Sequence, residues 1–290
     1  MITIETVETL QEEIKNLKSN NKIIGFVPTM GALHQGHLSL VEHSKKQCEI
    51  TVVSIFVNPT QFNNKSDLEK YPRTVEQDLK MLKNKNVDIV FMPSEKEMYP
   101  KKDTSQFNFG NIETVMEGKF RNGHFNGVAQ IVSKLFDFVK PDKAFFGLKD
   151  FQQVAIIKAM VRQLNMPIEI VPCPIVRESN GLAMSSRNQR LSSEQKQDAT
   201  ILYKTLKNIT KNYKKHPPAE LQKKSIKEIE NNSNLKIEYL EIVDDNSLET
   251  ISNWNENKHI SCCVAAYCGE VRLIDNMQIG SVDKSIKDCF

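Results

Sequence analysis

Residues 22–57 read KIIGFVPTMGALHQGHLSLVEHSKKQCEITVVSIFV. The stretch opens with a short apolar run, 22–28, that has the length and bulk of a buried strand. Residues 30–37 are rich in Gly and His, and Leu38, Leu40 and Val41 then begin a helical pattern that ends near Cys48. A second apolar run, 50–57, is closed by Asn58-Pro59. Strand, crossover and strand fit within about 35 residues, the size of a βαβ unit, and such units build parallel sheets.

Outward from this unit the alternation continues. Val75, Leu79 and Leu82 share a helical spacing over 75–85, and 87–92 reads as a strand stopped by Pro93. Val128, Ile131, Val132, Leu135, Phe136 and Val139 line one helix face, which Pro141 ends. A strand over 143–147, a helix over 151–164 and a strand over 168–176 follow. Strands alternating with helices over 20–176 predict a Rossmann-like, doubly wound parallel α/β sheet. Beyond it, Ser192 with Gln195 makes a capping-box pattern opening a helix to about Ile209, and Pro217-Pro218 starts a second. Runs at 235–243, 260–267 and 271–274 read as consecutive strands, so a smaller C-terminal α+β domain is expected. The divide is placed at 176, giving domains 1–176 and 177–290.

A chain of 290 residues is long enough for one large or two modest cores. Lys and Arg number 39 against 36 Asp and Glu, a formal charge of +3 that argues against a dedicated nucleic-acid binder. The charge is uneven: residues 196–230 carry nine lysines against four acids, a pattern read as a solvated helix face. No apolar run approaches the ~20 residues of a spanning helix, and the N-terminus lacks a signal-peptide pattern. No membrane partner and a cytoplasmic location are therefore expected. The six cysteines, at 48, 173, 262, 263, 268 and 289, show no metal-ligand spacing and are read as buried reduced thiols.

Four turns after predicted strands carry chemistry, at the edge of an open α/β sheet where ligands bind. In the first, Met30-Gly31-Ala32-Leu33-His34-Gln35-Gly36-His37, the glycines let backbone approach a ligand. The helix start offers free N–H groups suited to phosphate, and His34 and His37 can both donate to phosphate oxygens. A metal site there lacks an evident third ligand. In the second, 56–62, Asn58, Thr60 and Gln61 stand among Phe56, Val57 and Phe62. Neutral hydrogen-bonding groups between apolar walls suit a small polyol acid. The third, Gly147-Leu148-Lys149-Asp150, places a lysine and an acid at a helix start, with Gln153 one turn on. The fourth, Met184-Ser185-Ser186-Arg187, sets two hydroxyls and a guanidinium in a row, a polyphosphate grip. Each alone also reads as a plain turn; together they fit a nucleoside triphosphate spread across strand ends.

With 71–74 (Tyr-Pro-Arg-Thr), 123–128 (Gly-His-Phe-Asn-Gly-Val) and 272–276 (Arg-Leu-Ile-Asp-Asn), these segments resemble, in order and spacing, the pantoate–β-alanine ligase family. That family belongs to the His-x-Gly-His nucleotidyltransferases, whose signature corresponds to His34-Gln35-Gly36-His37 here. The resemblance implies ATP-dependent joining of pantoate and β-alanine through pantoyl adenylate. It implies ATP contacts from residues 30–37 and 147–150, from Val176, and from 184–187. It implies His37 as catalytic proton donor with His34 beside it, Gln61 touching pantoate and β-alanine, and Gln153 holding pantoate. Mg²⁺ would travel with ATP, with Asp78 the nearest carboxylate, and no structural metal is implied. It also implies a homodimer; residues 177–290 are read as a lid over ATP. Departures are Asn122 for Pro, Leu148 for a polar residue, Ile175 for Thr and Ser179-Asn180 for Pro-Asp. The alternatives are an adenylyltransferase of the same fold and an inactive nucleotide-binding module.

Overall fold

The structure, a computed structural model, describes residues 1–63, 65–255 and 259–280. In chain order the elements are β1 (Ile2–Ile4), α1 (Val7–Ser19), β2 (Ile24–Thr29), α2 (Gln35–Gln47), β3 (Ile50–Ile55), α3 (Lys65–Glu69), α4 (Val75–Asn84), β4 (Ile89–Phe91), α5 (Glu95–Met98), α6 (Glu117–Phe120), α7 (His124–Val139), β5 (Lys143–Gly147), α8 (Phe151–Gln163) and β6 (Glu169–Cys173). Then come α9 (Ser193–Asn212), α10 (Pro218–Asn232), β7 (Leu235–Asp244), β8 (His259–Cys268) and β9 (Val271–Gly280).

The first six strands form one parallel sheet in the order β1-β4-β3-β2-β5-β6. Strand order reverses beside β2: the chain runs outward through β3 and β4 on one side and through β5 and β6 on the other. This is the doubly wound arrangement the alternation predicts, and in such sheets ligands bind where strand order switches. The apolar runs are continuous because both faces of the sheet are covered. Phe26, Val52, Ala144 and Phe146 pack with Leu10 and Ile14 of α1 and Leu135 and Phe136 of α7. Their chain neighbours Val27, Val53 and Phe145 join Leu38 and Val41 of α2 and Leu82 of α4 in a separate cluster.

The other sheet is an antiparallel meander, β7-β8-β9. Leu202, Leu206 and Ile209 of α9 and Ile229 of α10 pack with Leu240, Ile242, Cys262, Val264 and Ala266. The capping box opens α9 as its spacing predicts: Gln195 N–H donates to Ser192 Oγ at 3.1 Å, and Ser192 N–H to Gln195 Oε1 at 2.9 Å. By contacts the chain forms two compact units. One holds residues 1–113, 117–148 and 153–173; the other holds 114–116, 149–152 and the chain from Pro174 onward.

The structure differs from the sequence reading at several elements. β1 and α1 form where no element was predicted: β1 is only three residues long and is completed by pairing Ile2 to Ile89. Helix α7 begins at His124 rather than 128, running through Gly127. β9 extends to Gly280 rather than stopping at Ile274, because the buried Asp275 is paired with a guanidinium instead of ending the strand. Cys173, Cys262, Cys263 and Cys268 are buried and Cys48 half-buried, and burial pushes the Cys262 thiol well up. Cys289 lies outside the described residues. Among the described residues no helix is long and apolar enough to cross a membrane.

Candidate active site

The turn after β2 is held by a carboxylate from α4. Gly31 (φ 76°) and Ala32 (φ 48°) both take the left-handed conformation. For alanine this conformation is disfavoured by about 1–2 kcal/mol. Asp78, 1% exposed, holds it in place. Its Oδ2 accepts from Ala32 N–H at 2.9 Å and its Oδ1 from Leu33 N–H at 2.8 Å. Thr74 Oγ1 donates to the same Oδ1 at 3.1 Å. On the strand side, Gly31 N–H donates to Thr29 Oγ1, which in turn donates to the Ser54 carbonyl.

His34 is the N-cap of α2. Its Nδ1 accepts from Gly36 N–H at 3.1 Å, and His37 Nδ1 accepts from His34 N–H at 3.3 Å. The ring centroids lie 4.1 Å apart. A backbone N–H can only donate, so both Nδ1 atoms are unprotonated, and each neutral ring carries its hydrogen on Nε2. The first turn of α2 therefore carries two Nε2–H donors at the positive end of a helix. This is chemistry for an anionic oxygen.

Gln61 closes a short 3₁₀ turn after β3. Asn58, 1% exposed, donates from Nδ2 to Gln61 Oε1 at 3.2 Å and to the Gly127 carbonyl at 3.3 Å. Its Oδ1 accepts from Tyr99 Oη at 2.8 Å. The Gln61 carbonyl accepts from His124 Nδ1 at 2.8 Å, and Gln61 Nε2 lies 3.1 Å from Met30 Sδ. The first unit thus brings the 30–37 turn and Gln61 together. Helix α7 approaches the 59–61 turn closely at Gly127. A Cβ there would stand 2.5 Å from the Thr60 carbonyl oxygen and 3.0 Å from Gln61 Cα. Gln153, in the same unit, lies half-buried in the first turn of α8.

Gly147 and Leu148 fall in the first unit, whereas Lys149, Asp150, Val176 and 184–187 fall in the second. Met184 N–H donates to the Val176 carbonyl at 3.0 Å and Glu178 N–H to the Leu182 carbonyl at 2.8 Å, so Val176 and Met184 are neighbours. Ser185 caps the turn that follows, accepting from Arg187 N–H at 3.3 Å. Buried Asn188 ties that turn to Glu178 Oε1 and to the Ala183 carbonyl. Arg177 makes a bidentate pair with Asp275, at 2.6 and 2.9 Å, and its guanidinium stacks 4.3 Å from the Tyr203 ring centroid. Burial pushes the Asp275 carboxyl up, and the guanidinium opposes that shift. Lys149 Nζ meets Asp150 Oδ1 at 3.1 Å. Gln152 is buried and donates to the Val115 carbonyl at 2.8 Å.

Tyr99 and the Arg177–Asp275 pair were missed by sequence reasoning. Tyr99 follows a four-residue helix with no periodic signal. The other pair is split by 98 positions, though the 272–276 motif marked one half of it.

The Pantoate-beta-alanine ligase family model matches residues 2–278 of the chain. The chain belongs to the pantoate–β-alanine ligase family. The pantothenate synthetase of Bacteroides thetaiotaomicron is 51% identical over 278 residues, covering 96% of this chain and 99% of that one. The crystal structure of the Thermus thermophilus pantothenate synthetase superposes with a TM-score of 0.91 at 38% identity, covering 97% of this chain and all of that one. The Francisella tularensis pantoate-beta-alanine ligase, solved in complex with Beta-gamma ATP and beta-alanine, gives 0.82 at 35% identity, over 96% and 97% of the two chains. As a pantoate–β-alanine ligase, the chain is an enzyme of pantothenate biosynthesis.

Proposed function

We infer that the chain condenses (R)-pantoate with β-alanine to pantothenate, using ATP and releasing AMP and pyrophosphate through pantoyl adenylate. The observation that carries this reading is the family match along nearly the whole chain. A pantoate carboxylate oxygen attacks the α-phosphorus of ATP, and the α–β bridging P–O bond breaks to release pyrophosphate. The amine of β-alanine then attacks the acyl carbon; the bond to AMP breaks and the nitrogen loses its proton. Adenylation is needed because a carboxylate has no good leaving group. The protein's work is positioning and stabilising the charge that develops on phosphate.

His37 is the proposed catalytic donor through Nε2–H, with His34 beside it; the Nδ1 caps on both rings support this assignment. Proposed ATP contacts are residues 30–37, 147–150, Val176 and 184–187. Gln61 is proposed for pantoate and β-alanine and Gln153 for pantoate. Residues 1–176 are read as the ATP- and pantoate-binding domain and 177–290 as a lid that keeps water from the adenylate. A cytoplasmic homodimer is proposed, to be read from mass in solution.

Among the described residues no group of three or more His, Cys, Asp or Glu is placed to hold a metal. Asp78, the carboxylate the resemblance suggests, already accepts from two backbone N–H groups. We therefore read Mg²⁺ as travelling with ATP on phosphate oxygens.

The test is AMP formation with ATP, Mg²⁺, pantoate and β-alanine. Turnover that does not require both carboxylic substrates would overturn the ligase reading in favour of an adenylyltransferase. A second expectation follows from the approach of α7 to the Gln61 turn. The added methyl of Gly127→Ala meets only backbone there. It should lower stability by about 1–3 kcal/mol and raise the pantoate KM about tenfold or more, with a smaller effect on ATP. Equal losses for both substrates would dissociate Gln61 from pantoate.

A further inference from the structure

Within the 272–276 motif, β9 carries two buried polar residues where a strand core is normally apolar. Asp275 and Asn276 are 5% and 7% exposed. Asp275 faces Arg177 in the bidentate pair, and its Oδ1 also accepts from Asn276 N–H at 2.7 Å. The Asn276 carbonyl accepts from Arg177 at 3.3 Å. The Asn276 backbone is thus fixed on both its polar atoms by one ion pair. Its side chain reaches out of the meander: Nδ2 donates at 3.1 Å to the carbonyl of Lys149, 127 positions away. The other end of the same short segment is tied as well, by Gln152 Nε2 on the Val115 carbonyl. Residues 149–152 are therefore clamped at both ends by long-range bonds from side chains to backbone.

We propose that Asn276, locked by the Arg177–Asp275 pair, is a positioning residue that aims Lys149 at the triphosphate of ATP. This rests on the reading of Lys149 as an ATP contact. A lysine is a compact charge on a flexible stem, so its useful placement depends on where its Cα is held. Fixing its carbonyl sets that point, and small misplacements of a binding group cost large factors in rate or affinity.

Asn276→Ala removes the bond to the Lys149 carbonyl and leaves the Arg177–Asp275 pair in place. It is expected to raise the KM for ATP about tenfold while the KM values for pantoate and β-alanine change less than about twofold. Lys149→Ala should raise the ATP KM further. In the double variant the Asn276 change should add little, because both act through one side chain. Asn276→Leu, with the same branched four-atom side chain but no donor, should behave like the alanine variant. A lowered Tm with unchanged ATP KM in Asn276→Ala and Asn276→Leu would overturn the proposal, leaving Asn276 merely structural. Multiplying effects in the double variant would overturn it too. An unchanged ATP KM in Lys149→Ala would instead remove the ATP reading of Lys149 itself.

Discussion

Replacing His37 by alanine is expected to slow pantoyl-adenylate formation by about 10²-fold or more, the usual effect of deleting one placed acid–base or charge-stabilising group. The measurement is pyrophosphate release in a single turnover with saturating ATP and pantoate. His37 has two jobs, and the alanine variant removes both. Its Nδ1 caps the helix by accepting from His34 N–H, and its Nε2–H is the proposed donor to substrate. Loss of a cap costs about 1 kcal/mol of stability and also loosens the turn that carries His34. His37→Gln separates the two. Glutamine at this third helical position is a natural capping-box partner and can accept from the same N–H. It has no imidazole. We expect His37→Gln to melt close to the parent protein yet remain at least as slow in adenylation as a cap-independent role demands, about 10²-fold down. Near-normal rates in His37→Gln would reduce His37 to a cap and remove it from the chemistry.

The 30–37 turn was legible because its parts are local: the histidines that meet at 4.1 Å are three residues apart, and the helix they cap begins between them. The sheet was legible for a similar reason. Phe26 and Val27 go to opposite faces, and because helices cover both, the strand reads as one unbroken apolar run. Where structure depends on distant partners, the pattern was silent or misleading. Nothing in Ile2–Ile4 marks a strand until β4 stands beside it. Asp275-Asn276 looks like a strand end, and only Arg177 makes it strand interior. The family resemblance found the 272–276 motif without a reason for it; the reason lies in bonds spanning 98 and 127 positions.

Asp78 is the sharpest case, because the same carboxylate suits two incompatible roles. As an Mg²⁺ ligand it would present oxygens to a cation; in the structure those oxygens face the N–H groups of Ala32 and Leu33 and the Thr74 hydroxyl. Asp78→Asn tests the difference with little change in shape. An amide has one acceptor oxygen, so its NH₂ must confront one of the two backbone N–H groups. That leaves a buried donor unmatched, at a cost of about 1–3 kcal/mol. The left-handed Gly31-Ala32 turn loses one of the two bonds that hold it, and Met30 and His34 on either side are expected to shift with it. We expect a lowered Tm, an ATP KM raised about tenfold or more, and a smaller change in the pantoate KM. Titrating Mg²⁺ at saturating ATP then decides the role. A positioning carboxylate leaves the half-saturating Mg²⁺ concentration where it was. A several-fold rise in the Mg²⁺ requirement, with Tm and ATP KM unchanged, would make Asp78 a metal ligand and overturn its assignment as the anchor of this turn.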